Sequence, residues 1–303
     1  MRLGLALLAA AVMAAPAAAA IVVDGALDAE YGLSIATQAN TGSSFGPSSN
    51  LNAGHGVIRD GKLNLFIDGN LEDNFNKLNI FLDSQAGGQN VLDSDTDNGG
   101  TNPLADVTDD SGVNASALQK QRGTTFDAGF EADFMLIIRH GLDQFDVDFV
   151  RIGDGAAGDG GFTSDTGSGT IFAPGFDRSM NNSGTTSDGI MVGFNNSNSG
   201  GTGFEFGIPL SLIGNPASVD VTAYIGGNTH QFASNQFLGS LPGGSGSLGS
   251  DGTGGFTPGR QFFDLSSVTG DQFFTVVPEP GTAVLTLLAA AFAGSAAMRR
   301  RLG

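Results

Sequence analysis

The chain has 303 residues and carries 31 acidic against 13 basic side chains, for a formal net charge of −18 at pH 7. Four of the basic residues lie in the two terminal segments (Arg2, Arg299, Arg300 and Arg301), so the remaining surface repels polyanions, which excludes nucleic acid as a partner. The absence of cysteine excludes disulfide bonds and thiolate metal sites, and the 48 glycines follow no three-residue period and therefore mark turns.

Residues 1–20 have the order of a secretory signal peptide. The positively charged Met1–Arg2 precedes the apolar stretch Leu3–Met13, and a run of alanines ends at Ala20. We predict a helical signal segment that is cleaved between Ala20 and Ile21, so the mature chain lies outside the cytoplasm. The alternative is an N-terminal membrane anchor, which the short, alanine-rich stretch disfavours.

Residues 21–275 alternate short apolar-patterned runs with polar, glycine-rich stretches, as an all-β domain does. The predicted strand runs are Lys62–Asp68, Lys77–Ser84, Phe130–Gly141, Gln144–Gly153, Gly189–Asn196, Gly203–Gly214 and Val219–Gly227. Alternation of this kind buries one face of a sheet and exposes the other to solvent, so the sequence predicts an antiparallel β-sandwich. The 23 phenylalanines supply its core. We expect Pro209 to end a strand, with a single helical turn after it.

Within these runs the period of two assigns side chains to faces. Phe130 shares a face with the apolar residues of the strand that follows it, which are Phe134, Leu136 and Ile138. Asp146 and Asp148 alternate with buried phenylalanines and are predicted to face water.

Three long Gly/Asp/Ser-rich stretches read as loops. They are Ser84–Gly123, Gly153–Gly189 and Gly239–Gly259, and the last of these is expected to be mobile.

The first loop contains a candidate calcium site. Asp93, Asp95 and Asp97 occupy alternate positions, as carboxylates do in calcium-binding loops. The EF-hand pattern fails, because Asn98 stands where glycine is required and Leu104 where a bidentate glutamate is required. The alternatives are therefore a calcium site of another type and a solvated acidic loop. No other cofactor is predicted.

Residues 21–275 contain no sequence motif that identifies a catalytic site. The pairs Glu131/Asp133 and Asp146/Asp148 place two carboxylates on one face of a strand, which a glycoside hydrolase requires at a set separation in a cleft. Acidic residues on the wetted face of a strand explain both pairs more simply. The sequence has no nucleophile elbow or P-loop, and its three histidines lack zinc-ligand spacing, so we expect a non-enzymatic protein.

Residues 276–303 differ from the body. The apolar run Gly281–Met298 rises roughly 27 Å as a helix, which is enough to cross a bilayer. The cluster Arg299–Arg301 stays cytoplasmic under the positive-inside rule, which leaves the opposite end of the span outside. At that end Pro278 and Pro280 keep the chain extended, as a protease substrate must be. The sequence predicts a single transmembrane helix.

The order of Pro278-Glu279-Pro280, an apolar span and Arg299-Arg300-Arg301 resembles the PEP-CTERM sorting signal of bacteria. The resemblance implies that a membrane exosortase recognises the triplet, cleaves near it and passes the body outward. The protein would then contact the inner membrane only transiently and reach the cell surface or extracellular space. A permanent single-pass anchor is the alternative.

The body resembles the ectodomain shared by many PEP-CTERM proteins. The segments that carry this resemblance are Ile21–Gly32, Leu65–Leu92, Thr125–Leu136, Phe204–Gly214 and Phe232–Pro242. The opening stretch is also similar to family 9-like carbohydrate-binding modules, which are jelly-roll β-sandwiches, although the chain has no tryptophan to stack on sugar rings. The resemblance implies a structural or adhesive protein of the envelope or exopolysaccharide matrix. The alternatives are a carbohydrate-binding module, with or without calcium, and a glycan-acting hydrolase.

Overall fold

Strands form where apolar and polar residues alternate in the sequence. The computed structural model describes residues 19–40, 49–92, 120–141, 144–152, 161–165, 182–185, 189–197, 199–256 and 261–279. Most of the predicted signal segment and the predicted span Gly281–Met298 lie outside these ranges. Among the described residues, no helix is long and apolar enough to cross a bilayer.

Within these ranges the chain forms strands joined by turns and three short 3-10 helices. The strands are β1 (Ala36–Thr37), β2 (Asn50–Arg59), β3 (Lys62–Asn70), β4 (Lys77–Asp83), β5 (Phe134–Gly141), β6 (Gln144–Arg151), β7 (Gly161–Asp165), β8 (Asn182–Thr185), β9 (Met191–Phe194), β10 (Gly203–Pro209), β11 (Val219–Gly226), β12 (Ala233–Leu238) and β13 (Phe274–Val276). The 3-10 helices are Ala29–Tyr31, Leu210–Ile213 and Leu265–Ser267. The predicted turn after Pro209 is therefore confirmed.

The described strands form two antiparallel sheets. Six strands run in the order β1-β2-β3-β10-β9-β8, and the other sheet runs β12-β11-β4-β5-β6-β7, with β13 also paired to β11. All the pairings between these strands are antiparallel. The two sheets are called the six-stranded sheet and the seven-stranded sheet below. The predicted all-β, antiparallel class is confirmed.

One hydrophobic cluster is shared by both sheets. The six-stranded sheet contributes alternate residues of β3 and β10, and the seven-stranded sheet contributes alternate residues of β4, β5 and β6. These residues are Leu63, Leu65, Ile67, Phe204, Phe206, Ile208, Leu78, Ile80, Leu82, Phe134, Leu136, Ile138, Phe145, Val147 and Phe149. Full burial of each such side chain contributes roughly 1.5–3 kcal/mol, so this cluster is the main stabilising element of a chain without disulfide bonds.

The seven-stranded sheet is buried on its other face as well, so the predicted wetted face is wrong for this sheet. A second cluster covers that face with residues from β4, β5, β6, β11 and β12 and from the irregular segments above them. Phe81 lies 4.9 Å from Phe126 between ring centroids, and Phe126 lies 5.0 Å from Phe130. Phe130 therefore belongs to this cluster and not to the face of Phe134, because the chain leaves strand geometry between them.

The predicted loop Gly153–Gly189 contains two strands, β7 and β8, and that part of the loop prediction is wrong. β7 and β8 each lie at one end of a sheet, β7 beside β6 and β8 beside β9. A terminal strand needs backbone hydrogen bonds on one side only and no apolar alternation, so its polar, glycine-containing sequence resembles a loop.

Glu205 of β10 is fully buried beneath the N-terminal segment. Its Oε2 accepts hydrogen bonds from the backbone amides of Asp24 (2.8 Å) and Gly25 (3.0 Å), and its Oε1 accepts one from the Tyr31 hydroxyl (2.9 Å). Opposite Glu205 in the sheet, a Cβ on Gly193 would lie 2.6 Å from the Asp24 nitrogen, so glycine allows this close approach. Burial raises the pKa of Glu205 to about 7, and the three hydrogen bonds oppose that rise.

We expect Glu205 to make stability depend on pH. Its pKa lies near 7 in the folded chain against 4.5 as the ordinary value, so unfolding releases its proton and stability falls as pH rises through this window. The unfolding free energy relative to Glu205→Gln should decrease by about 1–3 kcal/mol across the window. Urea unfolding at several pH values measures it, with Asp60→Asn, which removes an exposed carboxylate, as control. Parallel curves for the protein and Glu205→Gln would contradict this assignment.

Candidate functional site

The last described segment crosses from one sheet to the other. β13 pairs with β11 in the seven-stranded sheet, with Val276 opposite Val219. Immediately afterwards the chain reaches β2 of the six-stranded sheet, where the Ile58 amide donates to the Val277 carbonyl (3.1 Å) and the Glu279 amide donates to the Ile58 carbonyl (3.1 Å). We call Phe274–Glu279 the C-terminal strap, because it hydrogen-bonds to both sheets.

Glycine in β2 permits this crossing. Val276 is fully buried, and a Cβ on Gly56 would lie 2.6 Å from its Cγ2. A Cβ on Gly54 would lie 3.0 Å from the ring of Phe274. Larger residues at these two positions would therefore push the strap away from β2.

The position of Pro278 suits its lack of an amide hydrogen. Pro278 forms a parallel bridge with Ile58, and both hydrogen bonds of the bridge use the amides of Ile58 and Glu279. The nitrogen of Pro278 is not required to donate, so proline is compatible with this edge position. β1 covers β2 at Ala53 and Gly54, and the strap covers its edge farther along.

Glu279 adds an ion pair to the backbone contacts. Its Oε2 lies 3.5 Å from Nε of Arg59, which is also 3.3 Å from Oδ2 of Asp60. The Arg59 side chain is 12% exposed and that of Glu279 43% exposed, so the pair is partly screened by solvent and contributes at most about 1 kcal/mol. Its main effect is to fix the orientation of Glu279.

The structure thus brings two residues of the predicted triplet onto the body. Pro280 and the cluster Arg299–Arg301 lie outside the described residues. Sequence reasoning missed the partners Ile58 and Arg59. The alternate glycines of β2 were the available clue, because glycine inside a strand often marks a close backbone approach.

One member of each acidic pair that the sequence singled out is held by neighbouring groups. Asp133 is buried, so the prediction that it faces water is wrong, and its Oδ2 accepts from the amides of Ser84 (2.7 Å) and Gln85 (2.8 Å). Beside it, Oδ2 of Asp83 accepts from the Glu131 amide (2.8 Å), and burial together with neighbouring carboxylates raises the pKa of Asp83 to about 6.

Asp148 is buried too, with its Oδ2 3.4 Å from the Arg139 guanidinium. The prediction that it faces water is therefore wrong, because the second cluster covers this face of the sheet. The Asp146 side chain lies outside the described part of the structure.

The remaining candidate residues are only partly described. Asp93, Asp95 and Asp97 lie outside the described ranges. Within those ranges, no group of three or more histidine, aspartate or glutamate side chains is arranged to hold a metal ion. At the predicted signal cleavage site Ala20 is exposed and Ile21 is half-buried.

Comparison with known families identifies the C-terminal segment. The profile of the PEP-CTERM protein-sorting motif matches residues 276–301. The resemblance of the tail to this sorting signal is confirmed, and the protein is an exported one, recognised by an exosortase and processed toward the cell surface or extracellular space. No curated protein and no solved structure matches the chain.

We expect the ion pair to slow detachment of the strap. Arg59→Met keeps the aliphatic stem and removes the charge, so amide exchange at Glu279 should accelerate by up to about fivefold. Hydrogen–deuterium exchange of the full chain, read by mass spectrometry, measures this. Asp60→Asn is the control, because it removes the other carboxylate near Arg59 and leaves Glu279 in place. Equal exchange rates in the protein and in Arg59→Met would show that the pair does not hold the strap.

Proposed function

We propose that this is a non-enzymatic surface or extracellular-matrix protein with a structural or adhesive role, built as a β-sandwich of the jelly-roll type. The observation that carries the proposal is that the buried carboxylates accept hydrogen bonds from the backbone of the protein itself. Glu205, Asp133 and Asp127 each accept hydrogen bonds from backbone amides of neighbouring segments. Acids bound in this way stabilise the fold and are poorly placed to exchange protons with a substrate.

The strap supports delivery of the body as a folded passenger. Backbone pairing continues from β13 to Glu279, inside the triplet itself. An enzyme that binds the triplet as an extended strand would use the same backbone groups that β2 now occupies. Exosortase recognition therefore requires Val277–Glu279 to separate from Ile58, and the rest of the body can remain folded while this happens.

Replacing Pro278, Glu279 and Pro280 by alanines should leave the full-length chain in the membrane fraction, because the recognition element is lost while the predicted span remains. Fractionation of producing cells and the mass of the secreted protein measure this. Val277→Ala, at the exposed position beside the triplet, is the matched control and should be processed normally. Unchanged processing of the triple variant would refute recognition of the triplet, and retention of the unaltered full-length chain in the membrane would support a permanent anchor.

The weaker alternative, a glycan-acting hydrolase, has its own test. We expect the secreted protein to release no reducing ends from polysaccharides, since the Glu131/Asp133 pair lies among carboxylates engaged by backbone amides. A reducing-end assay on neutral and acidic polysaccharides measures this. Hydrolysis that disappears in Glu131→Gln and persists in Glu72→Gln, a half-buried acid outside the pair, would overturn the non-enzymatic assignment.

The second candidate function is carbohydrate binding. A depression lined by amide, hydroxyl and phenyl groups, distant in sequence from the strap, favours it. Both candidate functions are compatible with export and sorting, which concern the C-terminal segment.

A further inference from the structure

A depression of about 430 Å³ opens where the turn before β4 meets the turn between β11 and β12. Its described lining residues are Asn74, Asn76, Gly227, Asn228, Thr229, Phe232 and Phe256. The volume falls within the range of small-molecule sites. No ionisable side chain is among the described lining residues.

The two turns are fixed to each other by a buried cation. Lys77 is 1% exposed, and its Nζ donates to the carbonyl of Asn228 and to that of Phe75 (3.3 Å). The second turn is closed by the Gly227 amide, which donates to the Phe232 carbonyl (2.7 Å). The depression is therefore shaped before a ligand arrives, which lowers the entropy cost of binding.

Asn76 gives the depression an unused donor. The residue is 5% exposed, and its Nδ2 has no hydrogen-bond partner among the described residues, whereas its backbone amide donates to Oδ1 of Asn74 (3.1 Å). A buried amide without a partner is unfavourable, so a small rotation of the side chain that turns Nδ2 toward the depression and a ligand oxygen would be favoured. Asn76 is one of the residues that line the depression.

The remaining lining groups define the ligand chemistry. Asn228 and Thr229 offer neutral donors and acceptors at the rim, which match hydroxyl groups. Phe256 is 52% exposed and Phe232 is half-buried, so phenyl surface is available to the apolar C–H face of a ring. Charged ligands find no counter-ion among these groups, and the net charge of −18 repels anions.

We propose that this depression is a binding site for an uncharged sugar, with Asn76 donating to a hydroxyl oxygen and Phe256 covering a ring face. The proposal rests on the second proposed function, carbohydrate binding, and names its site. The described lining contributes no carboxylate or imidazole, so the proposed contacts to the sugar come from neutral groups.

The test uses the secreted protein collected from producing cells. Binding to immobilised dextran, mannan, β-1,3-glucan and cellulose is compared with binding to the anionic polysaccharide alginate, and calorimetry with soluble fragments of the best neutral binder gives Kd. We expect a neutral glycan to bind and alginate not to bind. Asn76→Leu should raise Kd at least tenfold and Phe256→Ala at least fivefold.

Two further variants make the test decisive. Asn228→Ala alters an exposed side chain of the same rim and should also raise Kd, which keeps the proposal testable if Asn76→Leu fails to fold. Leu33→Ala, an apolar side chain that is 91% exposed and does not line the depression, should leave Kd unchanged.

The outcomes separate the site from the function. Neutral-glycan binding that survives Asn228→Ala and Phe256→Ala would overturn the site and leave carbohydrate binding in place. Absence of binding to every neutral glycan would overturn both, without bearing on sorting. Preferential binding to alginate would overturn the uncharged ligand class.

Discussion

Burial of both faces of the seven-stranded sheet is the constraint on which the rest of the structure depends. Without disulfide bonds, stability comes from packing, and this sheet packs through one face against the six-stranded sheet and through the other against irregular segments. Irregular chain lying on a sheet brings backbone polar groups out of water, and each needs a partner. Side-chain amides supply such partners in the segments that cover the second cluster. Asn90 Nδ2, for example, donates to the carbonyls of Phe126, Asp127 and Phe130.

The same requirement explains the buried acids. Where irregular segments meet a sheet, backbone amides point inward without ladder partners, and a carboxylate accepts two of them at once. Asp133 does so for Ser84 and Gln85, and Glu205 for Asp24 and Gly25. Burial raises the pKa of both carboxyl groups, but the cause is architectural. A raised pKa at a buried acid is in this protein a consequence of covering a sheet, and so it is weak support for catalysis.

Period-two patterning predicted β3, β4, β6 and the shared core correctly, because side chains that alternate along a strand must alternate between faces. It failed for the second cluster, since the covering segments have no period, and for the polar end strands β7 and β8. The partners of the sorting triplet were also beyond sequence reasoning. Ile58 lies more than 200 residues before Pro278, and pairing at that separation leaves no local trace except the glycines of β2.

Proline in the triplet satisfies two requirements at once. A substrate held as an extended strand benefits from prolines, because they exclude helix. The bridge to Ile58 also tolerates proline, because its two hydrogen bonds use neighbouring amides. A residue with an amide hydrogen at 278 would direct a donor away from β2 and expose a second pairing edge. Proline removes that donor, so the strap can cover β2 without offering a new edge for aggregation, and Pro278 and Glu279 remain extended for the enzyme that recognises the triplet.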